Sequence, residues 1–136
     1  MVNIMLDIYI RLKSDNKEFI ILINNGKFYY VFNDDTYIIY YLFNYKINNN
    51  MVKFPDNILN KVIKELKNKD IGYIIYNKAI IKEYGDSIKY NKYYLLCIDK
   101  YNKDIIINNC KCLLLKLEYR ELKNIYDIIY EYTSNL

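Results

Sequence analysis

The chain has 136 residues, with 20 basic and 16 acidic side chains and no histidine. That length suits one domain, since domains cluster near ~100–150 residues, and 53% hydrophobic content excludes an intrinsically disordered chain. Apolar runs stay short, Leu113-Leu114-Leu115 being typical, far from the ~20 residues a spanning helix needs, so no membrane partner is expected.

The lack of histidine removes Ser-His-Asp and Cys-His catalysis and every His-containing zinc site. Gly26, Gly72 and Gly85 are too far apart to form a phosphate-cradling loop. No nucleotide cofactor, and no other cofactor, is therefore expected. Met1 to Asp7 lacks a basic segment and meets an acid early, unlike a secretory signal. Three cysteines, Cys97, Cys110 and Cys112, read as free thiols in a reducing, cytoplasmic compartment. Cys110 and Cys112 would share a face if they lay on a strand, but too few ligands accompany them for a metal site. Of the basic residues only Arg11 and Arg120 are arginine, and Ile, Asn and Tyr are abundant. Their codons are AT-rich, which points to a low-GC genome and discounts the tyrosines as evidence of binding.

In chain order, Ile4, Met5, Ile8 and Leu12 predict a short first helix. Phe19 to Ile23 reads as a buried strand, Asn24-Asn25-Gly26 as a turn, and Lys27 to Phe32 as a returning strand. Together they form a β-hairpin. Asn33-Asp34-Asp35 supplies capping residues for a helix over about 34–45. Asn48-Asn49-Asn50 is a loop, and Pro55-Asp56 opens an amphipathic helix over about 56–68. Ile71 to Tyr76 is a buried strand. Tyr93–Ile98, Asp104–Ile107 and Cys110–Leu115 are expected to be further strands around a turn at 100–103. A last helix runs over about 119–132, with Leu122, Ile125, Tyr126, Ile129 and Tyr130 at core spacing. The expectation is one α/β domain over 1–136, a mixed β-sheet flanked by helices.

Within this order, Met5-x3-Tyr9-x-x-Leu12-Lys13 is followed by a strand, Gly26-Lys27-Phe28-Tyr29, and Phe32-Asn33-Asp34-Asp35. A helix, Phe54-Pro55, a second helix and Gly72-Tyr73-Ile74-Ile75 complete the series. The pattern resembles the N-terminal mismatch-recognition domain (domain I) of MutS-family DNA mismatch-repair proteins, over about residues 4–77. The resemblance implies DNA as partner, with the wedging Phe of the family's Phe-x-Glu motif at Phe28. The family's Glu position holds Tyr30, which can stack or offer a hydroxyl but supplies no carboxylate. Its preceding Asp is Lys27, better suited to a phosphate.

Phe28 and Tyr30 alternate with Tyr29 and Val31, so they share one strand face. They form a candidate stacking pair, or they point into the core. Lys82, Lys89 and Lys92 interleave with Tyr84, Tyr90, Tyr93 and Tyr94, as in single-strand binders. Lys61, Lys64 and Lys67 make a solvated helix face. The candidate nucleic-acid residues are thus Lys27, Phe28, Tyr30, Lys89 and Lys92. Pro55-Asp56 with Glu65-Leu66-Lys67 imitates a metal-nuclease motif. That chemistry needs its carboxylates on adjacent strands, whereas these fall on one predicted helix. The chain is expected to be non-enzymatic: a DNA-binding accessory protein, or alternatively a protein-interaction module. The latter would be a homodimer, or an inhibitor or regulator from a mobile element or virus.

Overall fold

Five strands form one mixed sheet in the order β3-β2-β1-β4-β5. The computed structural model describes residues 2–85 and 89–136. The chain divides into two units, Met1–Tyr101 and Asn102–Leu136.

In the first unit, helix α1 (Val2–Asp15) leads into β1 (Ile20–Asn25) and β2 (Phe28–Phe32). These strands are the expected hairpin, antiparallel with Ile23 opposite Tyr30 and Asn25 opposite Phe28. Helix α2 (Asp35–Phe43) follows. It ends on Asn44 in the left-handed conformation (φ 59°), whose N–H donates to the Tyr40 carbonyl, an arrangement that Asn tolerates well. Strand β3 (Met51–Pro55) pairs antiparallel with β2. A single 3-10 turn, Asp56–Ile58, and helix α3 (Leu59–Asn68) carry the chain to β4 (Tyr73–Tyr76). β4 lies parallel to β1, and β5 (Ile80–Tyr84) borders it antiparallel.

Side chains of successive residues leave a strand on opposite faces, and β1 divides its isoleucines accordingly. Ile21 and Ile23, with Phe32 and Ile74, pack under Met5 and Tyr9 of α1. Ile20 and Leu22, with Tyr29, Val31, Val52, Phe54, Tyr73 and Ile75, face Ile38, Ile39, Val62, Leu66, Tyr90 and Cys97. The sheet thus lies between α1 on one side and α2, α3 and the start of α4 on the other. Four consecutive buried residues, Ile20 to Ile23, reflect a strand covered on both faces.

The C-terminal strands expected from the sequence are absent among the described residues. One helix, α4 (Tyr90–Leu114), replaces all three. Its apolar segments are short and β-branched, which imitates strands. The residues it covers tell otherwise: Tyr90, Tyr94 and Cys97 recur at helical spacing and pack on the core. The supposed turn at 100–103 contains no Gly or Pro to stop a helix. Two strands were not anticipated, β3 and β5. Pro55 ends β3 in extended conformation (φ −61°, ψ 147°) and is also the cap of the 3-10 turn that leads into α3.

The second unit contains the rest of α4 and helix α5 (Tyr119–Ser134). The Glu121 side chain accepts the Glu118 N–H at 3.4 Å, closing the start of α5. The apolar spacing expected for this helix is present, yet it contains no buried residue.

Candidate nucleic-acid interface

The β1–β2 turn works because Gly26 takes φ +65°, a conformation that costs Gly little. The Asp56 N–H donates to the Lys27 carbonyl at 2.8 Å and ties the turn to the end of β3. Lys27 is exposed at the tip. Phe28 begins β2 and is 36% exposed, whereas Tyr29, Val31 and Phe32 are buried. Its backbone lies between Asn25 and Pro55.

Phe28, Tyr30 and Phe32 share the α1 face of the sheet. The Tyr30 ring stacks on Phe32 at 6.4 Å between centroids, and Phe32 meets Tyr9 at 5.7 Å. Tyr9, Phe32 and Tyr30 thus form a packed row, and Phe28 follows them on the same sheet face with an accessible ring. Lys53 pairs across from Tyr30 and is on the same face. Its Nζ stands 5.1 Å from the Phe28 centroid. Sequence reasoning missed Lys53 because β3 was not recognised; the alternation Met51-Val52-Lys53-Phe54 was the signal available. On the opposite face Tyr29 stacks on Phe54 at 5.8 Å. Its hydroxyl pKa is raised by burial and, secondarily, by Asp56.

The structure brings Lys27, Phe28 and Tyr30 together and places Lys89 and Lys92 elsewhere. Lys89 pairs with Asp70 at 3.0 Å. Asp70 precedes β4, whose Tyr73 lies beside Ile20, the end of β1 away from the hairpin tip. Lys92 is exposed in the first turn of α4, and that helix packs on the α2–α3 face. Neither lysine reaches the surface that Phe28 presents. Tyr90 between them is buried and serves the interior.

That interior service involves a second set of residues. Of the expected capping residues Asn33, Asp34 and Asp35, Asp34 holds the cap position of α2, without a side-chain cap bond. Asp35 is fully buried and accepts from Lys13 Nζ at 2.6 Å, the Ile21 N–H at 3.0 Å and the Tyr90 hydroxyl. Lys13 also donates to the Phe19 carbonyl at 2.6 Å. Burial raises the Asp35 carboxyl above its ordinary range, against the pull of Lys13. Burial, then Asp35, raises the Tyr9 and Tyr90 hydroxyls. The two residues that the sequence pattern set apart, Lys13 and Asp35, are thus partners in holding α1, α2 and β1 together.

Among the described residues, no group of three or more Cys, Asp or Glu is placed to hold a metal ion. Asp56 lies in the 3-10 turn and Glu65 on α3, so the nuclease-like carboxylates do not share adjacent strands. Cys110 and Cys112, being helical, point about 200° apart rather than to one face. No described helix is long and apolar enough to cross a membrane.

A family model described as MutS domain I matches residues 3–87. No curated protein matches the chain. The match takes in the hairpin, Lys13, Asp35 and Lys53, and stops short of α4.

Proposed function

Because this chain belongs to the MutS domain I family, a DNA-contacting, non-catalytic domain in that family, we propose that it is a non-enzymatic DNA-binding accessory protein of the cytoplasm. One observation carries the reading. Phe28 is an exposed ring at a hairpin tip, on the same strand face as the stacked Tyr30 and Phe32, with Lys27 beside it. An aromatic ring held by a rigid strand and open to solvent suits base stacking, worth ~1–3 kcal/mol per base. Tyr30 stands where the resemblance implies a Glu, so the site stacks on bases without the carboxylate that would accept a hydrogen bond from one. Three free thiols suit a reducing compartment.

The test is a DNA titration at low salt on wild type and Phe28→Ala. The expected loss is ~1–3 kcal/mol of binding with the fold retained. A wild type with no affinity for DNA at low salt would defeat the proposal.

A second reading, a protein-interaction module, has its own observation. Leu122, Tyr126, Ile129 and Tyr130 of α5 are all exposed, and Tyr is enriched where proteins meet. Homodimerisation or capture of a partner through α5 would follow. Sedimentation of wild type and an Ile129→Asp variant distinguishes a self-associating chain from a monomer.

A further inference from the structure

Lys53 is exposed on β3, two residue pairs back from the Phe28–Pro55 pair at the hairpin tip. Its side chain reaches forward so that the ammonium covers the Phe28 ring at 5.1 Å. Among the described residues no carboxylate forms an ion pair with it. The ring that the proposed function assigns to base stacking therefore carries a cation over it.

We propose that Lys53 is a displaceable cap on Phe28, and that the ligand of this site is single-stranded nucleic acid. This inference rests on the Phe28 reading above. A base that stacks on Phe28 takes the place of the ammonium, because base–aromatic stacking exceeds an exposed cation–π contact. The displaced ammonium stays tethered to β3 within reach of the stacked nucleotide and takes its phosphate. The exchange costs little, since the cation leaves one electron-rich partner for a negatively charged one.

The strand class follows from the count and placement of charge. Lys27 and Lys53 flank Phe28, and Asp56 sits at the same edge beside Pro55. Two cations and a carboxylate match one or two phosphates of a flexible strand. A duplex footprint draws on many more phosphate contacts. Lys46 lines one cavity with Lys53 and Pro55 and can reach one further phosphate, whereas Lys61, Lys64 and Lys67 on α3 and Lys89 and Lys92 at α4 are on elements of the other sheet face.

The experiment uses the full chain and a labelled oligo-dT of about a dozen nucleotides, a length chosen to exceed one small stacking site. Affinity is measured across a salt series for wild type, Lys53→Met, Lys53→Gln and Lys53→Arg, with a thermal melt of each. For Met and Gln, the slope of log K against log salt should shrink by ~0.7, one single-strand phosphate. At high salt their affinity should equal or exceed that of wild type, because the ring is uncovered. Arg should restore the slope. The same sequence in duplex form should bind more weakly. Wild-type binding with an unchanged slope in both Met and Gln overturns the role of Lys53. Tighter binding to the duplex overturns the strand class. No wild-type binding at low salt defeats the Phe28 reading itself, and this inference with it.

Discussion

Lys13 Nζ lies 2.6 Å from Asp35 Oδ1, joining the end of α1 to the first residue of α2 across 22 residues of sequence. Asp35 has no solvent exposure and Lys13 little, so removal of the cation strands a buried carboxylate. Lys13→Met should cost ~3–5 kcal/mol of stability, the range for breaking one side of a buried pair. The pH dependence has a definite sign. The folded carboxyl lies above its unfolded value because burial outweighs Lys13. Its stabilising contribution is full below the ordinary carboxylate range and is lost as pH rises through the raised value. The Tm of wild type relative to Asp35→Asn should therefore fall as pH climbs out of the carboxylate range. A relative rise would mean that the three donors outweigh burial.

The hairpin was legible because Ile20 to Ile23 and Phe28 to Phe32 bracket Asn24-Asn25-Gly26, although Asn24 and Asn25 extend β1 and the turn itself is Gly26-Lys27. α3 was legible by its apolar stripe, less its first turn. α4 was not, because Ile105-Ile106-Ile107 and Tyr93-Tyr94-Leu95-Leu96 favour strands locally, and only packing of Tyr90, Tyr94 and Cys97 on the sheet decides for helix. At the site, Phe28 and Tyr30 could be placed from alternation alone. Lys53 could not, since it reaches Phe28 only across a strand pairing that sequence does not reveal. Asp35 read as a cap for the same reason: its partners Lys13 and Tyr90 are distant in sequence.

The cysteines should separate by reactivity. Cys97 is buried against the core, and burial pushes its thiol up to about 12. The thiolate is the nucleophile, so Cys97 should resist a thiol reagent at neutral pH. Cys110 and Cys112 are exposed and should react readily. Titration of the native protein should consume two thiols, and a third on denaturation. Three rapid equivalents from the native chain would contradict the burial of Cys97.

Two glycines with positive φ should respond differently to alanine. At Gly85, φ is +79° and an added Cβ would stand 3.1 Å from the Gly72 Cα, a backbone atom that cannot swing aside. Gly85→Ala should lose on the order of 2–3 kcal/mol, combining left-handed strain with the clash. At Gly26, φ is +65° and nothing lies within 4 Å of the same atom. Gly26→Ala should lose only the strain, about 1 kcal/mol, and Gly26→Asn less. Equal losses in urea unfolding would show that the approach of Gly85 to Gly72 is not tight.

The two phenylalanines near the hairpin tip offer the sharpest separation of binding from stability. Phe54 is 2% exposed and stacks on Tyr29 under the α2–α3 face, while Phe28 is 36% exposed on the opposite face. Phe54→Ala opens a cavity in close-packed surroundings and should cost ~3–5 kcal/mol. Phe28→Ala leaves its place to solvent and should cost well under that, with the melt shifted only slightly. If Phe28 serves a base, the order reverses for affinity: Phe28→Ala loses one stack, and Phe54→Ala, under conditions where it stays folded, keeps it. Paired melting and oligonucleotide titrations on both variants measure the two orders. A Phe28→Ala protein that melts as early as Phe54→Ala would show that the ring belongs to the core, and would remove the stacking site from this face.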